Sequence, residues 1–398
     1  MVRHASLFSQ LVGLFNRQRF YELVHRHGSE RYAKGFSSWD QFVAMLFCQI
    51  AQAKSLREIS GGLASTLGKL RHLGVKAAPN KSTLSYANAH RPWKLYEALF
   101  YETLDWCQKA SPGKSKKLRF KNKLLSLDSS TISLCLSLFP WAKFRRIKGA
   151  IKLHLLLDHD GYLPSFAHIT DGKGSEVVVA RGLCLSPGSI IVIDRGFNDY
   201  GLFADWTRNK VYFVTRLKEK AQFDVIGQRP VLASKHVLGD ETIRFTGPKA
   251  GKRCPLPLRR IVVQDPKDDT RTITLLTNHF EFAASTIGAI YKDRWQIELF
   301  FKAIKQNLRV KTFVGTSENA LQIQIWTALI AMLLIKFMQF KAALAWSLSN
   351  LVAFLRWNLF TYRCLWEWLD RPQDTPPQEA APSQMPLPLL AFGQQMLS

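Results

Sequence analysis

The chain has few cysteines, and their arrangement argues against two common kinds of stabilising site. Six cysteines occur in 398 residues, scattered singly, with no Cys-x-x-Cys pair and no tract rich in histidine. Structural zinc sites and disulfide frameworks both depend on clustered or paired cysteines, so the sequence predicts neither. This usage is typical of a reducing compartment, and we expect a cytoplasmic location.

The sequence also lacks a hydrophobic run long enough to cross a membrane. The longest apolar run covers residues 328–335 and is followed by Lys336. A transmembrane helix needs about 20 predominantly apolar residues, so we expect a buried helix here and no membrane partner. The first six residues form no clear secretory signal.

Acidic residues are scarce relative to basic ones. The chain has 30 Asp and Glu residues against 55 Lys and Arg residues, which gives a net charge of +25 and a pI near 9.9. Such an excess favours a polyanionic partner, with nucleic acid the first candidate and an anionic membrane surface the second. The length allows two or three domains with a sizeable core.

Residues 1–110 are predicted to form an all-α domain. Ser38 and Ser55 each begin a capping-box pattern, and another helix is predicted over residues 81–91. Its exposed polar side chains suit major-groove reading, so we expect this helical domain to bind DNA, with an ordinary helical bundle as the alternative. Residues 109–123 contain seven Lys or Arg and no acid. They are predicted to be a basic linker, either a solvated hinge or a strap along phosphates.

Residues 111–220 show strands and helices in alternation, and we interpret them as the first part of a catalytic core. Strands are predicted over residues 124–128, 151–157, 162–170, 189–194 and 211–215, with helices over residues 175–183 and from about 199. This order predicts an α/β fold, a ribonuclease-H-like mixed sheet with flanking helices. Ligands of such sheets gather at the carboxyl ends of strands, where Asp128 and Asp194 lie.

The remaining residues divide into three further segments. Residues 221–284 contain short alternating runs broken by Gly and Pro, which predict a β-rich insertion. Residues 285–345 return to the catalytic core as its second part. Residues 346–398 are predicted to form a C-terminal helix and a mobile tail, in which the basic bias disappears.

Residues 291–305 are predicted to be one helix, because they include good helix formers and neither Gly nor Pro. At about 100° per residue, Tyr291, Arg294, Glu298, Lys302 and Lys305 fall on one narrow polar face. A solvated, salt-bridged helix face is the simpler explanation. The spacing Tyr-x2-Arg-x3-Glu-x6-Lys, however, resembles the signature of the insertion-sequence-four family of DDE transposases.

That resemblance implies a catalytic triad of Asp128, Asp194 and Glu298. The segments Leu-Asp-Ser-Ser-Thr and Ile-Asp-Arg-Gly-Phe around the two aspartates are similar to the corresponding family motifs. The triad would hold two divalent metal ions, Mg²⁺ or Mn²⁺, which prefer oxygen ligands. In the same way, the resemblance implies that Tyr291, Arg294 and Lys305 contact DNA phosphates, and Lys302 shares their face.

The resemblance also implies an activity and partners. The expected activity is cut-and-paste transposition of an insertion sequence, by hydrolysis at the transposon ends and strand transfer of the 3′-OH into target DNA. The partners would be double-stranded DNA, both terminal inverted repeats and target, and a second copy of the chain, giving a homodimer in the DNA complex. The expected location is the bacterial cytoplasm, at the nucleoid when DNA is bound. A structure-specific metal-dependent nuclease and a catalytically silent DNA-binding protein remain as alternatives.

Four other polar residues have structural interpretations. Asp158 and Asp160 lie two apart in a turn that contains glycine, and we interpret them as turn formers, with metal binding as the alternative. Asp293 is expected to form a salt bridge with a neighbouring cation. His154 is expected to be packed or hydrogen-bonded within its strand.

Overall fold

The computed structural model describes residues 5–374, apart from 32, 67–68, 112–119, 136, 146–147, 232–235 and 266–267. Most of the predicted basic linker and nearly all of the predicted tail lie outside these described residues.

Residues 7–110 contain helices and, among the described residues, no strand. The α-helices are α1 (Leu7–Val12), α2 (Arg17–Arg26), α3 (Ser38–Ala51), α4 (Leu56–Ala64), α5 (Lys81–His90) and α6 (Lys94–Ala110). The capping box of α3 uses Ser37 with Asp40, one residue earlier than predicted. Ser55 caps α4 as predicted, since its hydroxyl accepts from the backbone N–H of Glu58.

The strands that follow belong to a single mixed sheet. They are β1 (Leu124–Leu134), β2 (Lys143–Arg145), β3 (Lys148–Asp158), β4 (Leu163–Asp171), β5 (Ile190–Ile193), β6 (Tyr212–Arg216), β7 (Phe223–Gln228), β8 (Val237–Phe245), β9 (Leu258–Asp265) and β10 (Asp268–Thr277). The strand order is β2-β3-β1-β5-β6-β10-β9-β8-β7, and β4 also pairs with β3. The predicted mixed α/β sheet is therefore confirmed.

Strand direction divides this sheet into three parts. β3 is antiparallel to both β1 and β4, whereas β1, β5 and β6 run parallel to one another. β7 to β10 form an antiparallel meander that joins the core through β6 and β10. The segment predicted as a β-rich insertion thus extends the core sheet, and the sequence patterns did not reveal β2 or β7.

Helices cover both faces of the sheet. They are α7 (Glu176–Arg181), α8 (Tyr200–Arg208), α9 (Ala250–Arg253), α10 (Ala284–Asp293), α11 (Trp295–Asn307), α12 (Glu318–Lys341), α13 (Leu348–Asn358) and α14 (Leu365–Asp370). α7, α8 and α9 share a core with one face, whereas α10 and α11 pack on the other. The single C-terminal helix that the sequence predicts is two helices, α13 and α14.

α12 is the central helix of the largest hydrophobic core. This core contains side chains of α1 to α6 and α11 to α14, together with residues of β1, β3 and β4. Among the described residues, α12 alone is long and apolar enough to span a membrane, but 89% of its most apolar 18-residue window is buried in the protein. The prediction of a buried helix is confirmed, since a helix apolar on all sides is expected in a core.

Candidate active site

The predicted strand that ends at Asp128 continues to Leu134, so Asp128 lies within β1, whereas Asp194 directly follows the neighbouring parallel strand β5. β1 and β5 pair in parallel with Leu127 beside Ile193, so Asp128 and Asp194 are the next residues on the two strands. Side chains alternate between the faces of a strand, which directs both carboxylates toward the face covered by α10 and α11. The parallel register therefore brings two acids together from distant parts of the chain.

Glu298 enters this site from the first turn of α11, and Arg294 joins it to Asp128. The Nη2 atom of Arg294 lies 2.7 Å from Oε1 of Glu298, and Nη1 lies 3.4 Å from Oδ2 of Asp128. The Arg294 side chain is 11% exposed, so this pairing is shielded from water. One guanidinium is thus shared by two carboxylates.

The electrostatics of the site show that the three acids influence one another. Burial raises the pKa of Asp128 to about 6, while the Ser129 backbone N–H and Arg294 act in the opposite direction. The negative charges of Asp194 and Glu298 raise this pKa further. Since the Asp128 carboxylate is incompletely neutralised, an additional cation near it would be favourable.

The signature segment contains a break that corrects the prediction of one helix. α10 ends at Asp293 and α11 begins at Trp295, with Arg294 between them. The N–H of Arg294 donates to the carbonyl of Tyr291, and the N–H of Ile297 donates to that of Arg294, at 3.2 and 3.1 Å. Hydrogen bonds to the third preceding residue tighten the turn here, so a constant 100° per residue does not apply across it.

Tyr291 is the signature residue whose predicted position changes most. It is 7% exposed and belongs to the core between α10 and the sheet, so it is not on an open polar face. Guanidinium carbons of Arg216 and Arg294 lie 5.4 and 5.6 Å from the centre of its ring. Burial raises the pKa of its hydroxyl. Its ring therefore contacts the side chains of Arg216 and Arg294 by cation–π interaction.

A basic cleft opens beside the carboxylates. It has a volume of about 360 Å³, and Lys302, Lys305 and Lys311 line it together with Asp128 and Glu298. Lys302 is exposed, whereas Lys305 is partly buried and donates to the carbonyl of Thr131 at 3.1 Å. Burial, followed by the charge of Lys311, lowers the pKa of Lys305. The cleft offers several cations to an anionic backbone.

The donor chemistry of the site fits a hard divalent ion, because all three acids offer carboxylate oxygens. Within the described part of the chain, however, no group of three His, Cys, Asp or Glu side chains is arranged to hold a metal ion. Arg294 instead supplies the positive charge that pairs with Asp128 and Glu298. The structure therefore brings the acids close to one another without arranging them around an ion.

The structure confirms the interpretations of Asp158 and His154, and it changes the partner expected for Asp293. The Asp158 carboxylate accepts from the backbone N–H of Asp160 at 2.9 Å, as in a turn. His154 is fully buried and lies 3.0 Å from the Thr170 hydroxyl, and burial lowers its pKa to about 4. Asp293 does pair with a neighbour, but with His159, at 2.7 Å.

Sequence reasoning missed two basic residues at the site. Lys311 lies beyond the end of α11, where the helical periodicity used for the signature no longer applies. Arg216 ends β6, the strand next to β5, and contacts the Tyr291 ring. The strand-end rule that selected Asp194 could have found Arg216, because β6 runs parallel to β5.

Two sequence families match this chain. The family described as "Transposase DDE domain" matches residues 119–334, more than half of the chain, and includes the three acids and the signature segment. A domain of unknown function, DUF4372, matches residues 3–76.

Individual relatives carry names of the same kind. A transposase named y4zB from Sinorhizobium fredii is 32% identical over 320 residues, which cover 78% of this chain and 85% of the relative. A Geobacillus stearothermophilus protein, named as a transposase for insertion sequence element IS5377, is 28% identical over 257 residues, 65% of this chain and 67% of its own. The solved synaptic complex of piggyBac transposase with hairpin DNA aligns at 10% identity over 88% of this chain and 80% of its own. Its TM-score of 0.41 is too low to establish a shared fold.

Proposed function

Because this chain belongs to the DDE transposase family, and is thus an enzyme of DNA transposition, we propose that Asp128, Asp194 and Glu298 form its catalytic site. The observation that carries this proposal is the proximity of the three acids: Asp128 and Asp194 lie on adjacent interior strands, both other acids act on the charge of Asp128, and Arg294 is shared by Asp128 and Glu298. The strand order β4-β3-β1-β5-β6 supports our inference that the core is ribonuclease-H-like.

The family implies dependence on divalent metal, and the ligands and ions are part of the proposal. Asp128, Asp194 and Glu298 would hold two ions, Mg²⁺ or Mn²⁺. Such ions, when bound, activate an attacking oxygen and stabilise a leaving oxygen. They would also take over from Arg294 as the counter-charge of the acids.

The cationic residues around the acids would bind the DNA backbone. Lys302, Lys305 and Lys311 line the cleft beside Glu298, where they can reach phosphate oxygens. Arg294, released from the carboxylates, presents a planar fork of donors that suits one phosphate. In this arrangement Tyr291 acts by holding the two arginine side chains that flank its ring.

The proposed reaction is cut-and-paste movement of an insertion sequence. The enzyme hydrolyses a strand at each terminal inverted repeat, and the freed 3′-OH attacks target DNA. Two ends must be held together, so a homodimer is the proposed working form, in the bacterial cytoplasm at the nucleoid. The polar side of α5, where Tyr86 is 68% exposed and stacked on His90 at 4.0 Å, supports DNA contact by the N-terminal helices.

The test is the variant Glu298→Gln, which keeps the shape of the side chain and removes its charge. We expect cleavage of the cognate inverted-repeat DNA in Mg²⁺ to fall at least about 10³-fold, since a lost metal ligand costs several kcal/mol of transition-state stabilisation. Glu318→Gln is the matched control, because Glu318 is an exposed acid in the first turn of α12. Cleavage that survives in Glu298→Gln would refute the assignment.

Strand transfer is tested separately from cleavage. Pre-cleaved ends that carry a free 3′-OH are supplied with target DNA, and joined products are counted. A transposase joins them, whereas a nuclease with the same core yields no joined product.

A further inference from the structure

A buried chain of three hydrogen-bonded side chains lies behind the candidate active site. Oγ of Ser126 lies 2.7 Å from Nε2 of His159, and Nδ1 of His159 lies 2.7 Å from Oδ2 of Asp293. The Tyr162 hydroxyl donates to the same Asp293 oxygen at 3.3 Å. We call Ser126, His159 and Asp293 the relay. None of the three belongs to the signature or to the triad.

The chemistry of the groups gives the relay a direction. An ionised carboxylate only accepts hydrogen bonds, so Nδ1 of His159 carries the proton that faces Asp293. Nε2 accepts from the Ser126 hydroxyl when the ring carries one proton, and it donates to Ser126 Oγ when the ring carries two. Both nitrogens of the imidazole are therefore engaged, which fixes the orientation of the ring.

Burial excludes the nucleophilic role that these residue types have in many hydrolases. A Ser, His and Asp chain of this kind can activate a serine for attack on a substrate. Here Ser126 is fully buried in β1, and the His159 side chain is only 6% exposed. Since a substrate has no access to the hydroxyl, the relay acts by holding parts of the protein together.

The first end of the relay is fixed to β1. Ser126 precedes Asp128 by two residues, so the two side chains lie on the same face of the strand. The backbone N–H of His159 also donates to the carbonyl of Leu124, at 3.1 Å. The turn between β3 and β4 is thus attached to β1 at two points, immediately before the candidate catalytic aspartate.

The other end of the relay is fixed to the helix junction. Asp293 is the last residue of α10, and Arg294 follows it between the two helices. Arg294 in turn contacts Asp128 and Glu298. The contacts therefore close a ring, from β1 through the relay to the junction and back to β1 through Arg294.

We propose that the relay is a positioning device that sets the α10–α11 junction against β1, so that Arg294 and Glu298 stand opposite Asp128. This inference rests on the proposed function of those three residues. Ser126, His159 and Asp293 are positioning residues, since they would not touch DNA or metal. Their effect is on the rate of the reaction, because an error of about 1 Å in the placement of catalytic groups can cost about 10²-fold.

The main variant is His159→Gln, with His154→Gln as its matched control. His154 is also a buried histidine, and its Nε2 atom also pairs with a hydroxyl, that of Thr170 on β4. We expect His159→Gln to lower the single-turnover cleavage rate about 10²-fold. Its affinity for end DNA should stay within about threefold, because phosphate contacts are retained. His154→Gln should cleave within about threefold of the unchanged chain, because its partner has no link to the junction.

Asp293→Asn provides a conservative comparison. The amide keeps an oxygen that accepts from Nδ1 of His159, so we expect cleavage within about tenfold of the unchanged chain. Asp293→Ala removes that oxygen, and it should fall to the level of His159→Gln. If the relay acted only through general stability, each variant would instead lose activity in proportion to the decrease in its Tm.

A second measurement tests the positioning role of the relay and does not depend on enzymatic activity. Hydrogen exchange is measured over residues 291–298 in the free protein, without DNA or metal. Exchange should be faster in His159→Gln and unchanged in His154→Gln. Equal exchange in the two variants, or equal cleavage by them, would overturn the relay. If the unchanged chain cleaves no DNA, the proposed function fails, whereas the exchange result still decides the relay.

Discussion

Two shielded arginines bind carboxylates in this protein, and the difference between them separates structural from functional ion pairs. In the meander, Arg259 is 2% exposed and makes two hydrogen bonds to Asp240, at 2.9 and 2.6 Å. Its remaining Nη atom donates to the carbonyls of His279 and Phe282. Arg229 lies 3.7 Å from the same Asp240 carboxylate. Here cations outnumber the acid, and the acid is well paired.

In the candidate active site the ratio of paired cations to acids is reversed. Arg294 serves both Asp128 and Glu298, and Asp194 raises the pKa of Asp128 from nearby. Within the described chain, Nε of Arg294 has no hydrogen-bond partner. One guanidinium shared by two carboxylates neutralises each of them less fully than Asp240 is neutralised, which makes a poor structural element and a good site for an incoming cation. The comparison therefore points to the region around Asp128 as the candidate functional region.

Removal of the structural pair should have the largest effect on stability. We expect Asp240→Ala to lower the free energy of unfolding by about 3–5 kcal/mol, because it leaves the buried Arg259 charge without its partner. The measurement is chemical denaturation. Asp224→Ala is the control, since Asp224 is exposed on the neighbouring strand β7 and should change stability by no more than about 0.5 kcal/mol. Equal stability of the two variants would contradict a structural role for the Arg259–Asp240 pair.

The candidate catalytic acid Asp128 should make the folded state less stable as pH rises. The folded state holds the Asp128 proton up to a pKa of about 6, whereas the ordinary pKa of an aspartate is 3.8. The folded state therefore binds more protons between about pH 4 and pH 6, and stability falls as pH rises through this window. In metal-free protein, Asp128→Asn should gain up to about 3 kcal/mol relative to the unchanged chain from pH 4 to pH 7.

Denaturation of both proteins at several pH values checks this sign. Added Mg²⁺ should reduce the gain, because a bound cation stabilises the ionised carboxylate. A stability difference that stays constant from pH 4 to pH 7 would contradict the incomplete neutralisation of Asp128.

The smallest expected effect is on the salt dependence of DNA binding at the basic cleft. Lys311→Ala should reduce the dependence of DNA affinity on salt by about one phosphate contact. Lys252→Ala is the control, because Lys252 is exposed on α9, across the sheet from the cleft. Binding titrations over a range of salt concentrations measure both slopes. Equal slopes for the two variants would exclude the cleft as a phosphate-binding surface.

Local patterns predicted the parts of the fold that local chemistry determines. The apolar runs before Asp128 and Asp194 were predictable as strands, because a continuous apolar run is a short-range signal. The end of the first strand was predicted wrongly, since β1 continues past Asp128 to Leu134 through its pairing with β3. The adjacency of those aspartates agrees with the parallel pairing of β1 and β5. Glu298 was selected by the resemblance of the signature spacing to the insertion-sequence-four family.

Long-range contacts account for what the sequence did not predict. No Gly or Pro near Arg294 indicates the break between α10 and α11. The break coincides with contacts that Asp293 and Arg294 make to residues distant in the chain. The burial of Tyr291 depends on Arg216 from β6. His159 lies 33 residues from Ser126 and 134 from Asp293, so no periodicity relates them.

The most direct test of the central claim is to locate manganese in crystals of the protein bound to its end DNA. Anomalous scattering identifies each ion independently of the chemistry assigned to the site. The account predicts Mn²⁺ peaks within bonding distance of carboxylate oxygens from Asp128, Asp194 and Glu298, with Arg294 moved from Glu298 to phosphate. Peaks that contact none or only one of these three acids would contradict it.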